Sequence, residues 1–235
     1  MPTALITGAS RGLGRRTAEQ LARKGWDLLL VARSIDQLES LASDLRSHGG
    51  SVAVAGLDLT DQAAIAPTLA SLLKGHGAPQ LLINNAGAAY TGDLLSMPLD
   101  RWNWLMQLNL TSVMQVCSAV VPAMRAAGGL VINVSSHAAN NAFPQWGAYC
   151  ISKAALASFT RCLAEEERSK GIRACTLTLG AVNTPLWDAE TVQSDFDRRA
   201  MLSVDQAADA LVYLAEQPTN QVIDDLTLMP SAGAF

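Results

Sequence analysis

The sequence predicts an α/β fold: a single doubly wound parallel sheet of about seven strands, with helices on both faces. Three observations carry this. Short runs rich in Val, Ile and Leu alternate with longer runs of helical spacing along the whole chain. The strand-like runs are nearly continuous in apolar residues, which suits strands covered on both faces. A glycine-bearing loop joins the first such run to the first helical one.

Taken in order, "TALIT" reads as the first strand, followed by the helix "LGRRTAEQLARKG", which stops at Gly25. "WDLLLVAR" is the second strand. Ser34 and Gln37 are spaced as a capping box for the helix "IDQLESLASDLRSH". "SVAVAGLDL" and "DQAAIAPTLASLLKG" form the third strand and helix, and "QLLINNAG" a fourth strand running into a loop. One long helix is expected over 99–126. "GLVINVSS" is the fifth strand, and a helix from about 147 to 169 follows. "IRACTLTLG", "VDQAADALVYLAEQ" and "DDLTLMP" complete the pattern. Residues 1–235 read as one domain. The segment 184–199, where small polar and charged residues break the periodicity, reads as an irregular insert placed to cover a substrate.

Composition narrows the function. With 49% hydrophobic and 16% charged residues, the chain has a globular rather than a disordered balance. A formal net charge of -4 gives no electrostatic reason to bind nucleic acid or an anionic membrane. Cys117, Cys150, Cys162 and Cys175 lack CxxC or zinc spacing, and His48, His76 and His137 form no ligand pattern, so no metal site is expected. Scattered reduced thiols and an N-terminus without signal-peptide regions point to a cytoplasmic protein. No apolar run is expected to span a membrane.

The loop "ITGASRGLG" spaces Gly8, Gly12 and Gly14 as G-x-x-x-G-x-G, which differs from the common G-x-G-x-x-G spacing. The physics is shared: glycines allow close backbone approach, and the following helix offers free N–H groups to a pyrophosphate. An acid at the end of the second strand would select NAD, and a basic residue would take the 2′-phosphate of NADP. Here Ala32 is followed by Arg33, with Arg11 in the glycine loop as a second cation, so NADP(H) is expected. Asp36 falls in the first helical turn, where a carboxylate is favoured anyway.

"GAYCISKAAL" places Tyr149 and Lys153 at i and i+4, on one helical face. A phenol has a reference pKa near 10, and an adjacent ammonium or a positive nicotinamide favours its phenolate. Such a pair can give a proton to a carbonyl oxygen or take one from an alcohol. Ser136 ends the fifth strand, at the carboxyl edge where open α/β sheets bind ligands. Strand alternation points Ser135 and Ser136 in opposite directions.

Together, "TGASRGLG", the "NNAG" of 84–87, Asp58 in "GLDLT", and Asn109, Ser136, Tyr149 and Lys153 in order resemble the short-chain dehydrogenase/reductase family over nearly the full chain. The resemblance implies a Rossmann fold with Asn109, Ser136, Tyr149 and Lys153 as a catalytic tetrad. Its spacing selects Ser136 over Ser135. Cofactor contacts are implied for Gly8, Ser10, Arg11, Gly12, Leu13 and Gly14, for Arg33, and for Asp58 and Leu59. They are also implied for Asn85, Ala86 and Gly87, for Tyr149 and Lys153, and for Gly180, Val182 and Thr184. Lys153 would also hold the nicotinamide ribose. Asn109 would help hold a water that links Lys153 to solvent; read from the residues alone, the alternative is a core asparagine bonded to backbone. The family's Pro-Gly pair is here Leu179-Gly180, which puts the backbone before Gly180 in question.

Tyr90, His137, Asn141, Phe143, Trp146, Leu186 and Trp187 are expected to line the substrate pocket, His137 as a wall residue rather than an acid. Their apolar, aromatic mix suits a neutral carbonyl compound or an acyl chain. The expected activity is NADPH-dependent reduction of a carbonyl, or the reverse oxidation of an alcohol. A 3-oxoacyl-thioester (acyl carrier protein) reductase is one alternative. A non-catalytic NADP-binding sensor or scaffold is another, though it would need the glycine loop and not the tetrad. The helix over 99–126 and the Tyr149 helix are apolar on more than one face, and the family pairs these helices across subunits. A homodimer or homotetramer is therefore expected.

Overall fold

The computed structural model describes residues 1–233. Its sheet contains β1 (Thr3–Thr7), β2 (Asp27–Ala32), β3 (Val52–Gly56), β4 (Leu81–Asn84), β5 (Gly129–Ser136), β6 (Ile172–Leu179) and β7 (Asp225–Leu228). All pairings are parallel, in the order β3-β2-β1-β4-β5-β6-β7. Strand order reverses between β1 and β4, so a crevice opens there at the carboxyl edge. The helices are α1 (Gly12–Arg23), α2 (Ile35–Arg46), α3 (Gln62–His76), α4 (Leu99–Met106), α5 (Ser112–Met124), α6 (Gly147–Glu167) and α7 (Val204–Ala215).

The period-two alternation of each strand divides the core into two layers. Ile6, Leu28, Leu30, Ile83 and Ile132 face the side covered by α1, α2 and α7. Leu5, Leu29, Val31, Leu82 and Val131 face α3, α5 and α6. A buried polar chain crosses the second layer. The Asn84 amide donates to Asn133 Oδ1 at 2.8 Å, the Asn133 amide to Thr160 Oγ1 at 2.8 Å, and the Thr160 hydroxyl to the Leu156 carbonyl at 2.8 Å. Neighbouring strands β4 and β5 are thus tied to α6, the helix that carries Tyr149.

Three expectations need correction. The long helix is broken by a π segment, Gln107–Thr111, which holds Asn109. One residue too many for the α-helical repeat turns that side chain inward. Ser34 caps α2 without a side-chain hydrogen bond, so Ser34 and Gln37 form no capping box. A capping box exists instead at α7, where Ser203 and Gln206 bond reciprocally. Finally, Leu99–Met124 is long and apolar enough, by length and composition alone, to cross a membrane. Val113, Val116, Val120 and Val121 of that stretch are buried against the sheet and α3, so its apolar character serves the core.

Leu179 is the last residue of β6, paired with Ser136 and Leu228. The Gly180 N–H donates to the Leu228 carbonyl at 2.9 Å. A side chain at Gly180 would collide with Pro230, 2.5 Å from where its Cβ would stand. The strand therefore runs straight through the position where the family places proline, and glycine is needed next for close packing.

Candidate active site

A cleft of about 440 Å³ runs along the carboxyl edge of the sheet. Of the residues expected at a cofactor or substrate site, all line it except Gly14, Asn109, Tyr90 and Asn141. Thr7 and Asn85 shape its floor. The Asn85 amide donates to the carbonyls of Thr7 at 3.0 Å and Gly8 at 3.3 Å, while Thr7 Oγ1 accepts from the N–H groups of Asn85 and Ala86. These bonds fix the glycine loop against the end of β4. Gly8 and Gly12 have φ of +67° and +54°, where a side chain would be strained. Gly14 packs instead of lining: its Cβ would stand 2.4 Å from the Gly8 carbonyl oxygen.

At the outer end, Arg11 and Arg33 both face the cleft, and neither side chain has an ion-pair or hydrogen-bond partner among the described residues. Asp58 sits beside them, its Oδ1 accepting from the Thr60 N–H and hydroxyl. The first turn of α1 begins at the cleft with no side-chain cap.

At the inner end lie Ser136, Tyr149 and Lys153. Alternation along β5 separates the two serines as expected. Ser135 is buried, and its hydroxyl lies 3.4 Å from the Lys153 carbonyl. Ser136 lines the cleft with Tyr149, its Oγ accepting from the Ala138 N–H at 3.2 Å, and it stands near enough to the phenol to favour its charged form. Lys153 is only 6% exposed, and its ammonium donates to the Val134 carbonyl at 3.0 Å. Burial pulls its pKa down to about 8. The ammonium stands 5.8 Å from the centre of the Tyr149 ring.

The Tyr149 phenol differs from expectation. Burial pushes its pKa up to about 12, opposed by the nearby Ser136 side chain. The ammonium was expected to draw it down, but its hydrogen bond goes to the backbone of β5 and it makes none to the phenol. Without a ligand, Tyr149 is therefore held firmly in its acid form.

Asn109 is wholly buried and lies outside the cleft. Its amide donates to the Ala88 carbonyl at 2.9 Å and to Ser152 Oγ at 3.0 Å, and its Oδ1 accepts from the Ala88 N–H at 2.9 Å. Ser152 passes the contact on, donating to the Tyr149 carbonyl at 2.8 Å. The side chain thus clips the loop after β4 to the first turns of α6, bonded as a core asparagine would be.

Opposite Tyr149, the 184–199 segment forms two short turns, Pro185–Asp188 and Arg198–Ala200. Arg198 braces it by donating to Asn183 Oδ1 at 2.8 Å, to the Thr184 carbonyl at 3.0 Å and to the Asp188 carboxylate. Trp187 anchors its indole N–H on the Val182 carbonyl at 2.8 Å. Trp146, Trp187 and Phe196 gather above Tyr149. Two expected wall residues stand elsewhere. Tyr90 packs over Gly92, and the Asn141 amide lies 2.9 Å from His137 Nε2 and 3.2 Å from the His137 carbonyl.

Comparison with known proteins decides the lineage. The short chain dehydrogenase family model matches residues 2–195. The chain belongs to the short-chain dehydrogenase/reductase family. It is 30% identical to serine 3-dehydrogenase of Rhizobium radiobacter, over 99% of this chain and 95% of that one. Among solved structures, it resembles an alcohol dehydrogenase of the archaeon Thermococcus sibiricus complexed with 5-hydroxy-NADP, at 28% identity and a TM-score of 0.91, covering 98% and 97% of the two chains. It also resembles L-sorbose reductase of Gluconobacter frateurii complexed with NADPH and L-sorbose, at 26% identity and a TM-score of 0.88, covering 97% and 95%.

This member of the short-chain dehydrogenase/reductase family has site features that motif matching does not reach. Phe196 and Met229 line the cleft, and Arg198 braces the segment opposite Tyr149. An aromatic ring inside the polar run "SDFDRRA" was a usable signal for Phe196. Nothing in the sequence marks Arg198 apart from its neighbour Arg199, which pairs locally with Asp197.

The buried lysine gives a pH prediction. Between about 8 and its ordinary value of 10.5, the folded chain holds Lys153 deprotonated while the unfolded chain keeps the proton. The unfolded state then binds more protons, so this group's contribution to stability rises with pH across that window. Lys153→Met, which removes the buried charge while keeping the apolar stem, should raise the Tm of the ligand-free protein below pH 8. The gain should shrink towards pH 10.5, as thermal unfolding of both proteins across that range will read.

Proposed function

We propose that this chain is an NADPH-dependent oxidoreductase that transfers a hydride between nicotinamide and a carbonyl or alcohol substrate, with Tyr149 as general acid and base. The observation that carries this is one cleft lined at one end by two guanidiniums, Arg11 and Arg33, unpartnered among the described residues, and at the other by the Ser136 hydroxyl, the Tyr149 phenol and the Lys153 ammonium. Two free cations and no acid at the end of β2 suit a 2′-phosphate. The glycine loop and the uncapped first turn of α1 suit a pyrophosphate. The NADP-type ligands of the Thermococcus and Gluconobacter proteins support the same choice.

NADPH, which Arg11, Arg33, the glycine loop and Lys153 would hold, would supply the hydride for the carbonyl carbon. Tyr149 gives its phenolic proton to the carbonyl oxygen, and the Ser136 hydroxyl hydrogen-bonds the same oxygen and orients it. A neutral phenol is what reduction requires, and burial keeps Tyr149 in that form. Lys153 holds the ribose and tunes the phenol once its surroundings become charged. Asn109 is a positioning residue, acting through Ser152 on the turn that bears Tyr149. The segment 184–199 serves as the lid.

Arg33→Ala should weaken NADPH binding roughly 10–100-fold and NADH binding little, since a charge-assisted hydrogen bond contributes about 1.5–3 kcal/mol. Titration of both cofactors checks this, and tighter NADH binding by the unmodified protein would contradict it. Tyr149→Phe should remove most turnover while leaving NADPH affinity nearly intact, because the lost hydroxyl acts in the transition state. Near-normal turnover of that variant would make His137 the next candidate acid. The same reading pairs copies of this chain through α5 and α6, where Met114 and Ile151 stand exposed. Light scattering should give a dimer or tetramer, and a monomer at micromolar concentration would count against it.

A further inference from the structure

We infer that the inner end of the cleft takes an uncharged carbonyl compound bearing an aromatic ring next to the carbonyl, held by Trp146, Trp187 and Phe196. This rests on the reading of Tyr149 as the proton donor. The three rings form one group with the phenol. Trp146 meets Tyr149 edge-on, with ring centroids 5.7 Å apart. Trp187 lies 5.6 Å from Trp146 and 5.5 Å from Phe196, and the Trp146 and Phe196 planes are parallel to within 3°. All four rings line the same cleft. Such a wall offers both faces and edges, which favours another aromatic ring over a saturated group of the same size.

The polar inventory excludes the other classes. The charged residues lining the cleft are Arg11, Arg33 and Asp58 at the outer end, and Lys153, whose ammonium donates to the Val134 carbonyl and is assigned above to the nicotinamide ribose. Arg198, two residues from Phe196, does not line the cleft and is taken up by Asn183, Thr184 and Asp188, so beside the rings no lining guanidinium is offered to a carboxylate, in contrast to what an amino-acid substrate such as serine would need. A polyol such as sorbose needs several hydrogen-bonding groups. Here the indole N–H of Trp187 is committed to Val182, and His137 is engaged by Asn141. Beside the rings the side-chain groups left are the Ser136, Tyr149 and Thr184 hydroxyls and one ring nitrogen of His137, enough for a carbonyl oxygen and fewer than a polyol's hydroxyls would need. The rings are also held in place. Trp187 and Phe196 belong to the segment braced by Arg198, and that segment is stitched to 89–91 through Thr191, whose hydroxyl donates to the Ala89 carbonyl at 2.8 Å. Ordered walls lose little freedom when a ligand arrives.

The test measures NADPH oxidation with acetophenone, cyclohexyl methyl ketone, an unbranched methyl ketone of the same carbon number, L-sorbose, and, in the oxidative direction, L-serine. The expected result is a kcat/KM for acetophenone roughly tenfold above both saturated ketones, with the sugar and the amino acid inert. Trp187→Ala and Phe196→Ala should raise the KM for acetophenone and level the preference, with kcat changed less, since both rings bind without touching the proton. If a saturated ketone, the sugar or serine is turned over as well as acetophenone, the aromatic assignment is overturned and the reductase reading stands. If NADPH binds and no compound is turned over, both are overturned.

Discussion

An ammonium and a phenol lie within one turn of α6, in a setting that favours the charge of neither. Among the described residues the Lys153 ammonium has one acceptor, the Val134 carbonyl, and the Tyr149 phenol has the Ser136 hydroxyl nearby. Desolvation moves both toward neutrality, the lysine down to about 8 and the tyrosine up to about 12. Neither shift serves the stability of a resting protein at neutral pH; for the lysine it is a direct cost. Both become useful once a charged group enters the cleft, because charges interact more strongly where water has been excluded.

The fold is arranged to maintain that setting. Parallel strands buried on both faces leave backbone groups free only at their ends, and Val134 presents its carbonyl to Lys153 near the carboxyl end of β5. Helix α6 is held against β5 by the chain from Asn84 through Asn133 to Thr160, and against the loop after β4 by Asn109 and Ser152. Each tie is a buried polar bond in an otherwise apolar layer, where a lost partner is expensive. Position matters more than binding energy here: the ties place Tyr149 and Ser136 at one point and leave the cleft open between them and the glycine loop.

Much of this was legible in the residues. Alternating apolar strands and helices gave the sheet and its helical layers, because burial on both faces demands that pattern. The i, i+4 spacing placed Tyr149 and Lys153 on one face, and alternation separated Ser135 from Ser136. What stayed hidden depended on long-range geometry. The π segment at Gln107–Thr111 leaves no mark in composition, yet it decides where the Asn109 amide goes. Ser34 and Gln37 have capping-box spacing, but both side chains border the cleft and the cap bond does not form. The three-ring wall joins Trp146 to Trp187 and Phe196 across about 40 to 50 residues of chain, which no local pattern records. The direction of the Tyr149 shift was misread for a related reason: sequence spacing shows that a lysine is near, and only coordinates show that its hydrogen bond points to β5.

In the proposed reaction Tyr149 is a neutral acid by virtue of its burial, and a positive nicotinamide beside the ring favours its ionised form. The most direct test is a spectroscopic titration of the phenol, taken as the difference between the unmodified protein and Tyr149→Phe, with and without NADP⁺. The account predicts a midpoint near 12 in the ligand-free protein, the value that burial imposes, and a clear fall when the positive nicotinamide is bound beside the ring. A phenol that titrates at its ordinary value of 10.0 without ligand, or one whose midpoint ignores NADP⁺, would contradict it.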